Sequence, residues 1–151
     1  MIEIPKLVSA IAFGADHGGV ALKDRLLARL AESGADARDF GTDGSTSVDY
    51  PDFAHAVCRA VAAGHAGRGV LVCGSGIGMS IAANRHTGIR CVLAHDVTTA
   101  RLGRLHNDAN MLALGGRLLG DDLAWEILAT FLATDFEGGR HERRLAKLAP
   151  V

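Results

Sequence analysis

Apolar residues along this chain follow two alternating rhythms. Short apolar runs recur at "LVSAIAFG" (Leu7–Gly14), "GVLVCG", "GIRCVLAH" and "NMLALGG", and "ARDFG" reads as a further short strand. Runs of this length closed by turn residues mark buried strands of a parallel sheet. Between them the spacing turns helical. In "VALKDRLLARLAESG", Leu22, Leu26, Leu27 and Leu30 share one face and Gly34 closes the segment. After a polar loop, "TDGSTSVDYP", the stretch Asp52–Gly64 reads as a helix with an acid at its start and glycine at its stop. "GMSIAANRH" predicts a helix starting inside a glycine loop, and "DVTTARLGRLHND" one that runs to a His-Asn-Asp turn. "DDLAWEILATFLAT" opens on two acids, and "GGRHERRLAKLAP" is a last, basic helix.

Strands alternating with helices at this period imply right-handed β-α-β crossovers. The expected fold is therefore α/β: a Rossmann-like, doubly wound, five-stranded and mostly parallel sheet. Helices should cover both faces, with one more helix at the C-terminus, and residues 1–151 should form a single domain. No internal repeat, low-complexity segment or linker interrupts the pattern.

Composition narrows the function classes. The 151 residues are 48% hydrophobic and 22% charged, with a formal net charge of -1. That balance argues against nucleic acid or a membrane surface as partner. No uncharged apolar stretch is long enough to predict a membrane span. The N-terminus carries Glu3 and lacks a basic segment ahead of an apolar one, so no signal peptide is expected. Cys58, Cys73 and Cys91 show no CxxC spacing, which predicts neither a disulfide scaffold nor a thiolate zinc site. The expected compartment is reducing, the cytoplasm. Nineteen glycines, clustered at strand ends, suit tight loops around a polar ligand.

In sheets of this kind ligands bind beyond the carboxyl ends of the strands. Those ends carry "GADHGG", "CGSGIG" and "GGR", which singles out Asp16, His17, Cys73, Ser75 and Arg117. Glycine at 74, 76 and 78 lets the backbone approach a ligand, and a helix starting near Ile77 would aim unpaired N–H groups at an anion. That anion is a phosphate or a charge that develops during reaction. A thiol beside such groups is favoured as thiolate and can serve as base or nucleophile; the alternative is a small buried hydrophobe ending a strand. A dinucleotide site is the rival class, with Asp96 as ribose-binding acid, although G-x-G-x-G after the third strand departs from the usual fingerprint. Arg140 and Arg144 lie four apart, on one helical face, where they form a phosphate clamp or a solvated basic face. His106, at a helix end, is a proton carrier or a structural imidazole. His55, His65, His86, His95 and His141 show no linear metal-ligand spacing, and no metal is expected.

Taken in order, "GADHGG", "DYPDFA", "CGSGIGMSIAANR", "HNDANMLALGGR" and "EGGRHERR" resemble the type B ribose-5-phosphate isomerases and their galactose-6-phosphate isomerase relatives, from about Ile11 to Arg144. The resemblance implies an aldose-ketose isomerase of the pentose phosphate pathway, working through an enediolate with no cofactor. It implies that Cys73 is the C2-proton base, because the position of the family's alternative glutamate is Met79. Ser75 would bond the C1 or C2 oxygen, and the N–H groups of Gly74, Gly76 and Gly78 would hold the enediolate. His106 would open the furanose ring. His17, Arg117, Arg140 and Arg144 would hold phosphate, and Asp16, Tyr50 and Asn107 the sugar hydroxyls. It further implies a homodimer or homotetramer with sites between subunits, and the implied substrate is ribose 5-phosphate, with allose or galactose 6-phosphate as alternatives.

Overall fold

The computed structural model describes residues 3–4 and 9–149. Alternation along each strand divides the core. In β1 (Ile11–Ala15), β3 (Arg68–Cys73) and β5 (Met111–Gly115), the residues Ile11, Phe13, Val70, Val72, Leu112 and Leu114 point to one face. Ala12, Leu71, Cys73, Met111 and Ala113 point to the other. Both faces are apolar, so both need a helical cover. The first face packs on α1 (Val20–Glu32), α4 (Val97–Asn107) and α5 (Asp121–Ala133); the second packs on α2 (Tyr50–Ala62) and α3 (Ile77–Ala83).

With β2 (Ala37–Asp39) and β4 (Cys91–Leu93), the five strands run in the order β2-β1-β3-β5-β4, and every pairing is parallel. The chain leaves β1 toward one edge and β3 toward the other. The topological switch point thus lies between the carboxyl ends of β1 and β3, where Ala15 is in register with Val72. In this way the strand order alone sets the "GADHGG" loop against the "CGSGIG" loop.

The elements match the sequence reading with local differences. The first strand is observed from Ile11; Leu7 and Val8, at the start of the run predicted there, lie outside the described residues. The second helix begins at Tyr50 rather than Asp52, because Pro51 fits a first turn in which its missing N–H has no helical partner. The basic C-terminal segment is helical as α6 over Arg140–Leu145, then tightens into a 3-10 turn at Ala146–Leu148; its final Pro150 lies outside the described residues. Lys23, on the polar side of the predicted α1 pattern, is fully buried and pairs with Asp39 and, at 2.9 Å, with Asp24. Burial opposes its charge, but the two carboxylates outweigh that and hold the ammonium above its ordinary range. At the outer edge of β4, the Asn84 amide accepts from Cys91 N–H at 2.8 Å and donates to Cys91 C=O at 3.0 Å.

Candidate active site

Cys73 is the last residue of β3, and its side chain is 5% exposed. The next residues turn sharply. Gly76 sits at φ +79°, in the left-handed region, where an added Cβ would lie 2.8 Å from Leu93 Cδ1 and 2.9 Å from Leu114 carbonyl carbon. This turn aims Gly76 N–H back at Cys73 Sγ, 3.1 Å away. Burial pushes the Cys58 thiol up to about 11 and also raises that of Cys91, so neither offers a thiolate near neutral pH.

Neighbouring loops close on this sulfur through contacts that only glycine permits. A Cβ on Gly19 would sit 2.1 Å from Val72 O, one on Gly116 2.7 Å from Gly18 O, and one on Gly78 2.6 Å from Tyr50 Cζ. Asp16, nearly buried, accepts through Oδ1 from the N–H groups of Gly18 and Gly19 at 2.9 and 3.1 Å, which leaves Oδ2 available. His17 Nδ1 accepts from Val48 N–H at 3.2 Å, so Nε2 carries the proton and can donate. Ser75 Oγ accepts from Ile77 N–H at 3.3 Å and keeps its own hydrogen for another acceptor. Arg117 N–H donates to Gly74 O at 3.0 Å, and its guanidinium lies over Gly74, within 3.2 Å of where a Cβ would be. Asp16, His17, Tyr50, Cys73–Gly78 and Arg117 therefore form one cluster at the carboxyl edge of the sheet.

His106, Asn107, Arg140 and Arg144 do not join it. α4 returns to the opposite edge, where Asn107 O accepts from Arg90 Nε at 3.0 Å, beside the first residue of β4. Asn110 O accepts from Gly69 N–H at the start of β3. From Gly69 to Cys73 the strand advances about 13 Å at the usual rise. α5 also ends at this amino edge, and Glu137 N–H donates to Leu105 O at 3.0 Å, which brings α6 to the same place. Within one chain the predicted residues thus form two groups on opposite rims.

The second group contains members that linear spacing did not suggest. His106, Glu137 and His141 each place one ligand-type atom within 4.8 Å of the others, so among the described residues these three could hold a metal ion. They come from α4, the connecting segment and α6, and a search for ligands along one helix passes over them. His141 is buried, and burial, followed by the charge on His106, lowers its pKa. Arg117, Arg140 and Arg144 have no carboxylate within 4.0 Å among the described residues. Met79 is wholly buried in the core against α2 and cannot contribute chemistry. Asp96, the acid of the dinucleotide reading, spends both oxygens on Thr99, accepting from its N–H at 2.7 Å and its hydroxyl at 2.8 Å. That role as helix cap removes the support for a ribose-binding acid. A cleft of about 1060 Å³ lies instead beside β4, lined by Cys91, Leu93, Asn107, Leu145 and Leu148.

The Ribose/Galactose Isomerase family model matches residues 11–148. The chain belongs to that family. A putative sugar phosphate isomerase of Bacillus subtilis is 48% identical over 140 residues, 92% of this chain and 94% of that protein. Ribose-5-phosphate isomerase B of Escherichia coli is 45% identical over 93% of this chain and 95% of its own length. The crystal structure of a Thermotoga maritima ribose 5-phosphate isomerase superposes with a TM-score of 0.94 at 47% identity, covering 96% of this chain and all of that one. Membership in the family extends across both rim groups, so the loops at the carboxyl edge and the helix ends at the amino edge fall within one matched segment.

Proposed function

We propose that the protein interconverts ribose 5-phosphate and ribulose 5-phosphate through an enediolate, with Cys73 as the base. The observation that carries this reading is the Cys73 sulfur at the β1/β3 switch point, receiving Gly76 N–H at 3.1 Å. The thiolate takes the C2 proton, and the freed electron pair becomes the C1–C2 double bond while the C1 oxygen takes the charge. Ser75 Oγ passes the O2 proton to O1, and the proton held on sulfur returns to C1, which leaves the carbonyl at C2. Gly74 and Gly78 supply N–H donors to the enediolate; Gly76 N–H, already directed at the sulfur, serves the base instead. One preorganised donor of this kind is worth about 3–4 kcal/mol in the transition state.

The remaining roles follow the two groups. His17 Nε2 and Arg117 meet the phosphate from the carboxyl edge. Arg140 and Arg144, free of carboxylate partners among the described residues, meet it from a second copy of the chain. Asp16 and Tyr50 of one copy and Asn107 of the other contact sugar hydroxyls. His106 of the second copy moves the proton that opens the ring. Opposite rims cannot share one small sugar within a chain, so the working unit is a homodimer or a larger assembly of homodimers. A base that works as free thiolate fits a reducing compartment, the cytoplasm, and no described helix is long and apolar enough to cross a membrane.

The test is turnover of ribose 5-phosphate by the parent protein and by Cys73→Ala, beside allose 6-phosphate, galactose 6-phosphate and erythrulose 4-phosphate. The last is included because a Pectobacterium atrosepticum relative, 38% identical, is a D-erythrulose-4-phosphate isomerase. Ribose 5-phosphate should give the highest kcat/KM, and Cys73→Ala should lower kcat at least about a hundredfold, as expected when the proton-transfer group is lost. Activity that survives in Cys73→Ala would sink the assignment of the base, and a different preferred sugar would sink the assignment of the substrate.

A further inference from the structure

A histidine that moves protons is ordinarily oriented by a hydrogen bond to one ring nitrogen. His106 has no such bond among the described residues. It has a ring beneath it instead. The His141 imidazole stacks on it with centroids 4.4 Å apart and planes 15° from parallel. His141 is 4% exposed, its Nε2 has no hydrogen-bond partner, and the nearest carboxylate, Glu137, is 3.7 Å away. An imidazole buried with an unsatisfied nitrogen is costly for stability. Its retention at this point calls for another use.

The surroundings hold both rings still. Glu137 N–H is bonded to Leu105 O, one residue before His106. Buried Arg104 ties the same turn down, donating to Thr134 O at 3.0 Å, Asp108 Oδ1 at 2.8 Å and Ala109 O at 2.7 Å. Gly138 and Gly139, at φ +70° and +59°, turn the chain so that α6 begins with His141 against α4. The ring planes lie 15° from parallel with centroids 4.4 Å apart, a stacked pair in which one ring can fix the plane of the other.

We propose that His141 is a positioning residue for His106: its buried ring is the platform that fixes the plane of the His106 imidazole during ring opening. The proposal rests on the reading of His106 as the ring-opening group. That step moves a proton from the anomeric hydroxyl to the ring oxygen as the C1–O4 bond breaks and the C1 carbonyl forms. Reclosure on either face of the carbonyl exchanges the two anomers, so ring opening can be followed apart from isomerisation.

The experiment uses Cys73→Ala protein, in which isomerisation is blocked, and measures α/β anomer exchange of ribose 5-phosphate by NMR exchange spectroscopy, with sugar dissociation constants from titration. Cys73→Ala should accelerate exchange over buffer, and His106→Asn in that background should abolish the acceleration. Adding His141→Leu, which fills the site without a flat face, should cut exchange about tenfold or more with the dissociation constant unchanged, since small misplacements of a reacting group cost up to about a hundredfold. Adding His141→Phe, which restores a flat ring without nitrogens, should recover most of the loss. Unchanged exchange in His141→Leu, equal losses in Leu and Phe, or a loss matched by weaker sugar binding would overturn the platform. No acceleration by Cys73→Ala itself, or acceleration that persists without His106, would overturn the ring-opening reading and the platform with it.

Discussion

Where a loop passes over a strand end at backbone distance, a single hydrogen decides whether the site can form. Gly19 faces Val72 O so closely that a methyl group would stand 2.1 Å from it. The β1 loop and the end of β3 would have to part, and Asp16, which bonds Gly18 and Gly19 through Oδ1, would move with them. Gly19→Ala should destabilise the fold by about 1–3 kcal/mol, the usual cost of overpacking a tight contact, and lower activity further than stability. Urea melts and kcat measured on the same preparation check this; an unchanged midpoint would mean that the loop yields freely. At this scale the sequence was informative about chemistry-bearing types at strand ends, since position after an apolar run is readable. It was silent on Lys23, because nothing in a helical repeat tells a charged residue facing solvent from one drawn under a loop by Asp39. His141 stayed hidden for a similar reason: its partner, His106, is thirty-five positions away and reaches it only through folding.

Among the elements, α4 shows how a polar side chain can set a boundary. Asp96 accepts from Thr99 N–H, and this bond, with that from the Thr99 hydroxyl, holds its carboxyl below the usual carboxylate range. A folded-state pKa below the unfolded one contributes stability that is present above the unfolded value and lost as pH falls through the folded one. Asp96→Ala should therefore lower Tm at neutral pH, and the gap from the parent should close as the solution is acidified through and below the ordinary carboxylate range. A gap that persists in acid would show that the cap does not act through its charge. The boundaries of α2 and α6 illustrate what periodicity misses. Tyr50 joins α2 because Pro51 favours a first turn, and α6 gives way to a tighter turn at Ala146, neither of which alters the apolar spacing. The central strands were legible because both faces of β1, β3 and β5 are buried, which forces continuous apolar runs there and one-sided stripes in most helices, whereas β2, with Arg38 and Asp39 exposed, carries no such run.

Across the whole molecule, the two groups stand apart on opposite rims. The sequence motifs lie in order along one chain, the family resemblance implied sites between subunits, and folding sends the motifs to opposite rims. Which residue falls on which rim follows from the direction of each helix, known once the strand order is known. The consequence for a dimer is a test by complementation. Cys73→Ala and His106→Asn proteins, each inactive alone, should regain activity when unfolded together and refolded as a mixture. Random pairing at equal amounts gives about a quarter of the parent activity, because half the dimers are mixed and each of those has one intact site. No recovery, with mixed dimers demonstrated by a size tag, would place both residues in a single chain's site.

The sheet ends in a three-residue strand on each side, and on the β4 side the Asn84 amide already occupies the outward N–H and C=O of Cys91. Exposed strand rims are where folded chains recruit one another into ladders, and rims this short, one of them already capped at Cys91, offer little template. A concentrated solution of this protein should accordingly grow through its helical surfaces into closed particles rather than lengthen rim to rim into fibrils.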